Sequence, residues 1–401
     1  MKTIRDDAAR IAGDIIDLRH AIHREPEIGN DLPKTQAKVL DALSGLPLEV
    51  SRGQALSSVT AVLRGGRPGP TVLLRGDMDA LPVTEATGLP YASRMDGVMH
   101  ACGHDLHTAM LAGAARLLSA RQAELAGNVI FMFQPGEEGD GGADLMIGEG
   151  VLDAAGERPV AAYGLHVVSD RHPRGQFDTR PGPLMASVDT LAVTVRGQGG
   201  HASRPHASAD PIPAACEMVT ALQAMVTRQF NIFDPVVLTV GTFHAGTASN
   251  VIPDEAAFEA TVRSFSDEAR AKLEREAVRL TRHIAEGHGL AADVRWEASY
   301  PVTVNDAGEA AFALRCAADL FGGARAAEMA NPVPGAEDFS YVLRKVPGAF
   351  VFLGACPPGT DPATAPSNHS ARAVFDDSVL ADGMTLLSEL AVRRLTAAAA
   401  G

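Results

Sequence analysis

Apolar residues recur along the chain with two different periods, and their spacing predicts where helices and strands lie. In residues 4–24, Ile4, Ile11, Ile15 and Leu18 follow the spacing of an amphipathic helix. Short apolar runs that end at glycine, proline or polar residues indicate buried strands. On these grounds we predict strands over 59–64, 71–75, 128–133, 161–168 and 349–353, and further helices over 105–120, 307–320 and 377–398.

The elements at the two ends of the chain favour an α/β fold. Strands that are apolar at nearly every position are typical of a sheet that helices cover on both faces. We therefore expect a mixed, mostly parallel sheet between helices. Residues 1–185 and 299–401 together would form this main domain.

The middle of the chain has a different pattern. Residues 188–196 alternate between apolar and polar positions, as a strand with one buried face does. The whole order is strand, helix, strand, strand, helix, strand, which is the ferredoxin-like α+β order. We expect residues 186–298 to form a smaller domain inserted into the main one. Its later elements are predicted at 209–229, 236–244, 256–264, 267–287 and 291–298.

Composition and charge exclude two classes of partner. The 401 residues are 46% hydrophobic and 21% charged, which is ordinary for a globular chain, and the formal net charge is −14. Nucleic acid is excluded because its phosphates need a basic surface. Small anionic substrates stay open, because bound cations reverse the charge locally. No stretch approaches roughly 18–20 consecutive apolar residues, so we expect no membrane span and no membrane partner.

The cysteines and the start of the chain indicate a reducing compartment. Cys102, Cys216, Cys316 and Cys356 are far apart and show no disulfide-rich spacing. The first residues lead into a polar segment rather than the apolar run of a secretory signal. We therefore expect a cytoplasmic protein, in which a reactive thiol such as Cys102 would persist.

The most distinctive local pattern is His-Ala-Cys-Gly-His-Asp-Leu-His at residues 100–107. Thiolate and imidazole are preferred ligands of zinc-like cations. Cys102 and His104 are two positions apart, so in an extended segment both side chains could face one side. Gly103 between them permits a tight turn. The alternative is a surface turn that is merely rich in histidine.

Two adjacent carboxylates follow the predicted strand 128–133. Glu137 and Glu138 lie in Gln-Pro-Gly-Glu-Glu-Gly, at the carboxyl end of a strand, where open α/β sheets build their sites. Adjacent residues point in different directions, so one glutamate can bind a metal while the other faces a substrate water. A solvated acidic loop is the alternative, but the apolar strand before the pair and the glycines after it favour a site.

Two further histidines add metal donors. His166 lies near the end of the strand 161–168, where a lone histidine is more often structural, and His369 lies between turn residues. Together with Cys102 and His104, these segments supply three histidines, one cysteine and one glutamate, with a second glutamate to spare. That set suits one or two cations and a general base.

Seven motifs in the chain resemble those of a known group of enzymes. The chain resembles the amidohydrolase branch of the dinuclear-metal aminoacylase and carboxypeptidase superfamily, which includes hippurate hydrolase, N-acyl-amino-acid amidohydrolases and auxin-conjugate hydrolases. The resemblance extends from about residue 15 to residue 380. The matching stretches are RGDMDALPVTE (75–85), MHACGHDLHTAML (99–111), FMFQPGEEG (131–139), GLHV (164–167), GQGGHASRPH (197–206), GTASNVIPDEAAFEATVRSF (246–265) and GAEDFSYVLRKVPGAFVFLG (335–354).

The resemblance implies a ligand set for two divalent metal ions per chain, with Zn²⁺ or Mn²⁺ first and Ni²⁺ or Co²⁺ as alternatives. Glu137 would be the general base, and Asp79 would orient a ligand, whereas Asp77 is not counted as a ligand. Two residues depart from the pattern: relatives usually have alanine at Gly136, and many have leucine at Asn368. The implied ligands are Cys102, which would bridge the two ions, and His104, Glu138, His166 and His369.

The resemblance also implies a role for the inserted domain. Residues near 186–298 would form a lid that dimerises, so the chain would be a homodimer or a dimer of dimers. His201 would stabilise the oxyanion, and His206 is a weaker candidate for a substrate contact. Asn250 and Arg263 would hold the carboxylate of the substrate, for which the planar guanidinium of arginine is suited.

The reaction implied is hydrolysis of the amide bond of a small N-acyl amino acid that carries a free carboxylate. Alternatives are a dipeptidase or aminopeptidase, or a deacetylase of a metabolite such as N-acetylcysteine or N-acetyldiaminopimelate. A binding protein on an inactive scaffold is a further alternative, but it predicts loss of a ligand or of the base, and none is lost. Cys102 as a covalent nucleophile is the remaining alternative mechanism.

Overall fold

The structure, a computed structural model, describes residues 3–399. The described helices are α1 (Ile4–His23), α2 (Pro33–Leu43), α3 (His104–Ser119), α4 (Gly142–Gly148), α5 (Pro211–Gln229), α6 (Asp267–Gly287), α7 (Ala307–Phe321), α8 (Ser340–Leu343) and α9 (Val379–Ala399). The described strands are β1 (Leu48–Arg52), β2 (Val59–Arg64), β3 (Arg67–Asp77), β4 (Ala126–Gln134), β5 (Ala161–Val168), β6 (Phe177–Thr179), β7 (Gly182–Met185), β8 (Asp189–Arg196), β9 (Gly200–His201), β10 (Val236–Ala245), β11 (Val251–Ile252), β12 (Glu255–Ser264), β13 (Ala291–Ala298), β14 (Thr303–Asn305), β15 (Ala326–Glu328) and β16 (Gly348–Gly354).

The chain divides into two compact units. Unit 1 contains the residues up to Leu184, Val304–Asn331 and the residues from Asp338 onward. Unit 2 contains Met185–Thr303 and Pro332–Glu337. Short elements such as α2, β1 and β6 have no counterpart among the predicted ones, because too few residues repeat in them to set a period.

Unit 1 is built on an eight-stranded mixed sheet in the order β1-β2-β4-β3-β5-β16-β6-β15. The central pairs β4/β3, β3/β5 and β5/β16 are parallel, as is β6/β15, whereas β1/β2, β2/β4 and β16/β6 are antiparallel. Because neighbouring parallel strands end at the same edge, the segments after β3, β4 and β5 come together. This edge carries the candidate site.

Helix α3 is buried at every position from His104 to Ala115. A helix that is covered all round must lie inside its domain, and α3 packs against α1, α9 and β3. Its apolar contacts belong to the same core as Val72, Phe131 and Leu387. The amino-terminal end of α3, where His104 lies, is therefore set in a rigid part of unit 1.

Unit 2 contains a four-stranded antiparallel sheet in the order β10-β12-β8-β13. Alternate residues of β12 are buried, and they share a core with α5 and α6 through residues such as Phe258, Leu222 and Leu273. This strand order is the ferredoxin-like one. The predicted fold class, a mixed sheet between helices with a smaller α+β domain, is confirmed. Within residues 3–399, no helix is both long and apolar enough to cross a membrane.

Candidate metal centre

The ligand candidates Cys102 and His104 lie on a tight turn, which the glycine between them was expected to permit, and not on an extended segment. His104 is the first residue of α3, and Gly103 precedes it in the left-handed region at a φ of 89°. A Cβ atom at Gly103 would lie 2.4 Å from Val167 Cγ2. Only glycine fits this turn, which brings the thiol and the imidazole to the carboxyl end of the sheet.

The sulfur of Cys102 lies between two imidazoles. Its Sγ atom is 3.4 Å from His166 Nε2 and 3.3 Å from His369 Nε2, and Cys102 is buried. His369 Nε2 is in turn 3.2 Å from Glu138 Oε1, which is 3.8 Å from His104 Nε2. All five predicted ligands therefore converge.

The donor atoms form overlapping groups, each of which could hold one cation. Within each group the atoms lie within 4.8 Å of one another. Cys102 belongs to two groups, which is the arrangement that a bridging thiolate requires. The groups are Cys102, His104 and His166; Cys102, Glu138 and His369; and His104, Glu137 and Glu138.

A second observation also supports the binding of divalent cations at this site. The Nε2 atom of His104 is buried and makes no hydrogen bond within the described chain, and the buried Oε1 atom of Glu138 faces His369 and His104 without a well-directed hydrogen bond. A buried polar atom without a partner costs about 1–3 kcal/mol, so such atoms are rare in folded proteins. A cation would complete their coordination, and the mixture of sulfur, nitrogen and oxygen donors suits zinc-like or manganese-like ions.

The hydrogen bonds of His166 determine which of its nitrogens faces the site. Nδ1 donates to the carbonyl of Val167 at 2.8 Å, because a carbonyl can only accept. Nε2 is therefore the unprotonated nitrogen, and it is the atom next to Cys102. Burial, followed by the charges of His107 and His104, lowers the pKa of His166 well below its ordinary value, although Asp77 opposes this. The ring stays neutral, as a metal ligand must.

Asp79 positions the two glutamates and one histidine. Its Oδ1 and Oδ2 atoms accept the backbone N–H groups of Glu137 and Glu138, each at 3.0 Å. Oδ1 is also 3.4 Å from His104 Nδ1. These two bonds hold the backbones of both glutamates beside His104, whose Nε2 atom lies 3.9 Å from Glu137 Oε2 and 3.8 Å from Glu138 Oε1. Asp79 thus lies where a carboxylate that orients a ligand would be expected.

The pair formed by Asp77 and His107 was missed at the level of sequence. His107 Nδ1 donates to Asp77 Oδ1 at 2.6 Å, and the backbone N–H of Val167 donates to His107 Nε2 at 2.7 Å. Both ring nitrogens are therefore occupied, so His107 supports the strand end beside His166. Burial raises the pKa of Asp77, but Arg75, His104 and His107 outweigh it and hold that pKa well below its ordinary value. The third histidine of the 100–107 motif was the available signal.

His369 differs from the other ligand candidates because its side chain is 54% exposed. It adopts a left-handed backbone conformation at a φ of 69°, which is unusual for a residue other than glycine. Its hydrogen bond to Cys102, followed by its contact with Glu138, raises the pKa of His369 to about 10. The negative charge of Cys102 and Glu138, which raises this pKa, would also attract a cation bound at this position.

The remaining candidates lie in unit 2. His201 on β9 pairs with Val251 on β11, and the backbone carbonyl of Asn250 accepts from Ala202 N at 3.1 Å, so His201 and Asn250 are neighbours. His206 lies in a short 3₁₀ turn, Pro205–Ala207, and is exposed. The fourth candidate is elsewhere, on the four-stranded sheet: Arg263 is half-buried on β12, and burial lowers its pKa.

Comparisons with known proteins agree with this geometry. The model of the peptidase family M20/M25/M40 matches residues 73–393. The chain belongs to this family. It is accordingly a metal-dependent hydrolase of amide bonds, with a dinuclear metal site.

Individual M20 proteins match over nearly the whole chain. N-acetylcysteine deacetylase of Bacillus subtilis (strain 168) is 38% identical over 379 residues, which are 94% of this chain and 96% of that one. Thermostable carboxypeptidase 2 of Saccharolobus solfataricus is 36% identical over 397 residues, 98% of each chain. The solved structure of a dinuclear metal-binding M20 peptidase from Bacillus subtilis is 34% identical, with a TM-score of 0.82, and the match covers 97% of this chain and 99% of that chain.

Proposed function

We propose that this M20 protein hydrolyses the amide bond of N-acyl amino acids, hippurate-like or N-acetylated, and releases a carboxylic acid and an amino acid. The observation that carries the proposal is that five metal donors converge beside a buried glutamate, Glu137. Glu137 is not itself one of the five proposed ligands. Cys102, His104, Glu138, His166 and His369 would hold two divalent cations, of which Zn²⁺ or Mn²⁺ are the first candidates. The cations would supply Lewis acidity at the acyl carbonyl and at the attacking water.

Glu137 is the general base of this proposal. Its residue is only 6% exposed, and its backbone is fixed by Asp79, so its carboxylate is held beside the donor cluster. Glu137 would take a proton from the attacking water and later deliver it to the departing amine. Glu138, which contacts His369 and His104, would be a ligand instead.

His201 is proposed as the donor that stabilises the oxyanion. Its Nδ1 atom accepts from the backbone N–H of Ser203 at 3.1 Å, and Ser203 Oγ lies 2.9 Å away. Because Nδ1 accepts, the ring proton of a neutral His201 is on Nε2, which is the form that can donate to a developing negative charge. This holds whether His201 serves its own chain or a partner.

Arg263 and Asn250 are proposed to bind the carboxylate of the substrate, and His206 is a further candidate contact. The Arg263 guanidinium makes no hydrogen bond to any described residue, although the charge of Asp189 acts on it. A half-buried arginine with unused donors suits bidentate binding of a carboxylate. The proposed substrate is thus a small molecule with a free carboxylate, and we propose that unit 2 also joins two chains into a homodimer or a dimer of dimers in the cytoplasm.

A carboxypeptidase is the second candidate function. Thermostable carboxypeptidase 2 supports it by similarity, and a carboxypeptidase likewise releases an amino acid that bears a free carboxylate. N-acetylcysteine deacetylase supports the smaller acyl group. The alternatives share the leaving amino acid and differ in what lies on the acyl side of the scissile bond, so a substrate panel separates them.

The test is a panel of acetyl-, benzoyl- and indoleacetyl-amino acids and of peptides, assayed after exhaustive chelation and again with added Zn²⁺, Mn²⁺, Ni²⁺ or Co²⁺. We expect chelation to abolish hydrolysis and a divalent cation to restore it. Full turnover with less than one cation per chain would contradict the mechanism. If the protein hydrolysed peptides but no N-acyl amino acid, the carboxypeptidase function would replace the proposed one.

A further inference from the structure

We infer that Asn368 is a positioning residue, which ties together the three segments that carry Cys102, His166 and His369. The inference rests on the proposed ligand set. Asn368 directly precedes His369 in the chain. Its amide lies between segments about 200 and 266 residues away in the chain.

Asn368 uses its whole amide group. Nδ2 donates to the carbonyl of Cys102 at 3.1 Å and to the carbonyl of Val167 at 3.0 Å. Oδ1 accepts the backbone N–H of Ser169 at 2.9 Å. The carbonyls can only accept and the backbone N–H can only donate, so the orientation of the amide is determined. Ser169 Oγ lies within reach of both Oδ1 (3.0 Å) and the carbonyl of Pro366 (2.8 Å), and its single proton can serve either.

The Val167 carbonyl connects Asn368 to a ligand directly. The same oxygen accepts from His166 Nδ1 at 2.8 Å, the bond that directs His166 Nε2 to the site. A shift of Asn368 would therefore disturb the group that orients His166. Likewise, its bond to the Cys102 carbonyl fixes the peptide unit that precedes the Gly103 turn.

His369 depends on this anchor more than the other ligands do. Its left-handed backbone conformation is unfavourable for a residue with a Cβ atom, and its side chain is 54% exposed, so packing does not hold it. The backbone of His369 is constrained by the bond from its own N–H to the carbonyl of Ala101, at 2.8 Å, and by the bond from the N–H of Ser370 to the carbonyl of Ser367, at 3.0 Å, which closes the turn around Asn368 and His369. The side-chain bonds of Asn368 attach this turn to the segments of Cys102 and His166. Asn368 therefore has the role of presenting His369 to Cys102 and Glu138.

The experiment titrates chelated protein with Co²⁺ and records calorimetry together with the visible and near-ultraviolet spectrum, which reports thiolate–cobalt bonding. The variants are Asn368→Leu and, if that variant protein does not fold, Asn368→Ala. The matched control is Asn305→Leu, because Asn305 is buried in unit 1 and bonds Thr179 Oγ1 (2.9 Å) and the N–H of Phe350 (2.8 Å), and none of its hydrogen bonds is to a ligand.

We expect Asn368→Leu to weaken one of two Co²⁺ sites by roughly 10–100-fold, the usual effect of removing a group that orients a ligand, and to change the thiolate–cobalt band. kcat should fall more than KM rises. Asn305→Leu should lower the melting temperature and leave the Co²⁺ affinities and the spectrum unchanged. Wild-type affinities and spectrum in the folded Asn368 variant, or equal losses in the Asn305 control, would overturn the inference. A wild-type protein that bound no second Co²⁺, or showed no thiolate band, would instead defeat the proposed ligand set.

Discussion

The metal centre of unit 1 and the candidate residues of unit 2 are held in opposite ways. Each histidine of the metal centre except His369 is buried, and His166 has its tautomer determined by a backbone carbonyl. In unit 2, His201 and Asn250 are exposed on a two-stranded ribbon. The imidazole of His201 hydrogen-bonds Ser203 alone among the described residues.

The difference follows from what each group is proposed to bind. Like charges and unpaired donors can converge only if the surrounding structure holds them, because they repel one another and are costly to bury. Residues that contact a substrate have no such requirement, and they often lie on exposed segments at the surface. Substitutions in the metal centre should therefore affect metal binding or chemistry, whereas substitutions of the candidate residues of unit 2 should leave the metal content unchanged.

The largest effect is expected at the adjacent glutamates. Glu137→Gln should keep both cations and lose roughly 10²–10⁴-fold in kcat, the scale of a lost acid–base group. Glu138→Gln should lose metal as well, because its carboxylate contacts His369 and His104. Metal analysis beside steady-state kinetics separates the two. Glu149→Gln, which alters a carboxylate that binds the backbone of Gln54, is the control. If Glu137→Gln lost metal and Glu138→Gln kept it, the two roles would be reversed.

His201→Ala should have the next largest effect. We expect kcat to fall by roughly 10²–10³-fold, the usual effect of removing an oxyanion donor, with the metal content unchanged. His283→Ala on α6 is the control, since His283 is also exposed and contacts only Glu286. If His201→Ala had a wild-type kcat, His201 would not be the oxyanion donor and would have only a structural role in the backbone turn that contains it.

The smallest of the three effects is expected at Arg263. Arg263→Ala should raise KM for N-acyl amino acids by roughly 10–100-fold, because a hydrogen bond to a charged group contributes about 1.5–3 kcal/mol. The matching amides, which lack the carboxylate, should be nearly unaffected. Arg295→Ala on the exposed part of β13 is the control for loss of a positive charge. An equal rise in KM for acids and amides would show that Arg263 does not bind the carboxylate.

Much of the fold could be predicted because its signals are local. The helix predicted over 267–287 and the strand predicted over 291–298 match α6 and β13, since each carries its own period. The donor types of the site were equally visible, because Cys102, His104 and the two glutamates occur in short motifs. The resemblance to the amidohydrolase branch, and hence membership of the M20 family, could also be read from the sequence and is confirmed.

Other features of the site could not be predicted, because they depend on contacts between distant segments. The sequence allowed either an extended segment or a tight turn around Gly103, and the close approach of Val167 to Gly103 requires the turn. In the sequence, Asn368 is only a departure from the resembled pattern. In the structure its amide joins the segments of two other ligands.

The sequence by itself determined the order of the elements, the presence of an α+β pattern inserted into an α/β pattern, and the kinds of donor atom available. These depend on residue type and on spacing along the chain. Only the tertiary structure decided which nitrogen of His166 faces the site, that His107 supports Asp77, and that Asn368 anchors His369. The bonds of His107 and Asn368 join residues that are adjacent only because the segments after the parallel strands β3, β4 and β5 meet at one edge. The bond that orients His166 is to the neighbouring Val167, and it depends on the conformation of the chain at the end of β5. Which group donates and which accepts depends on the two groups that meet, and the fold decides which groups meet.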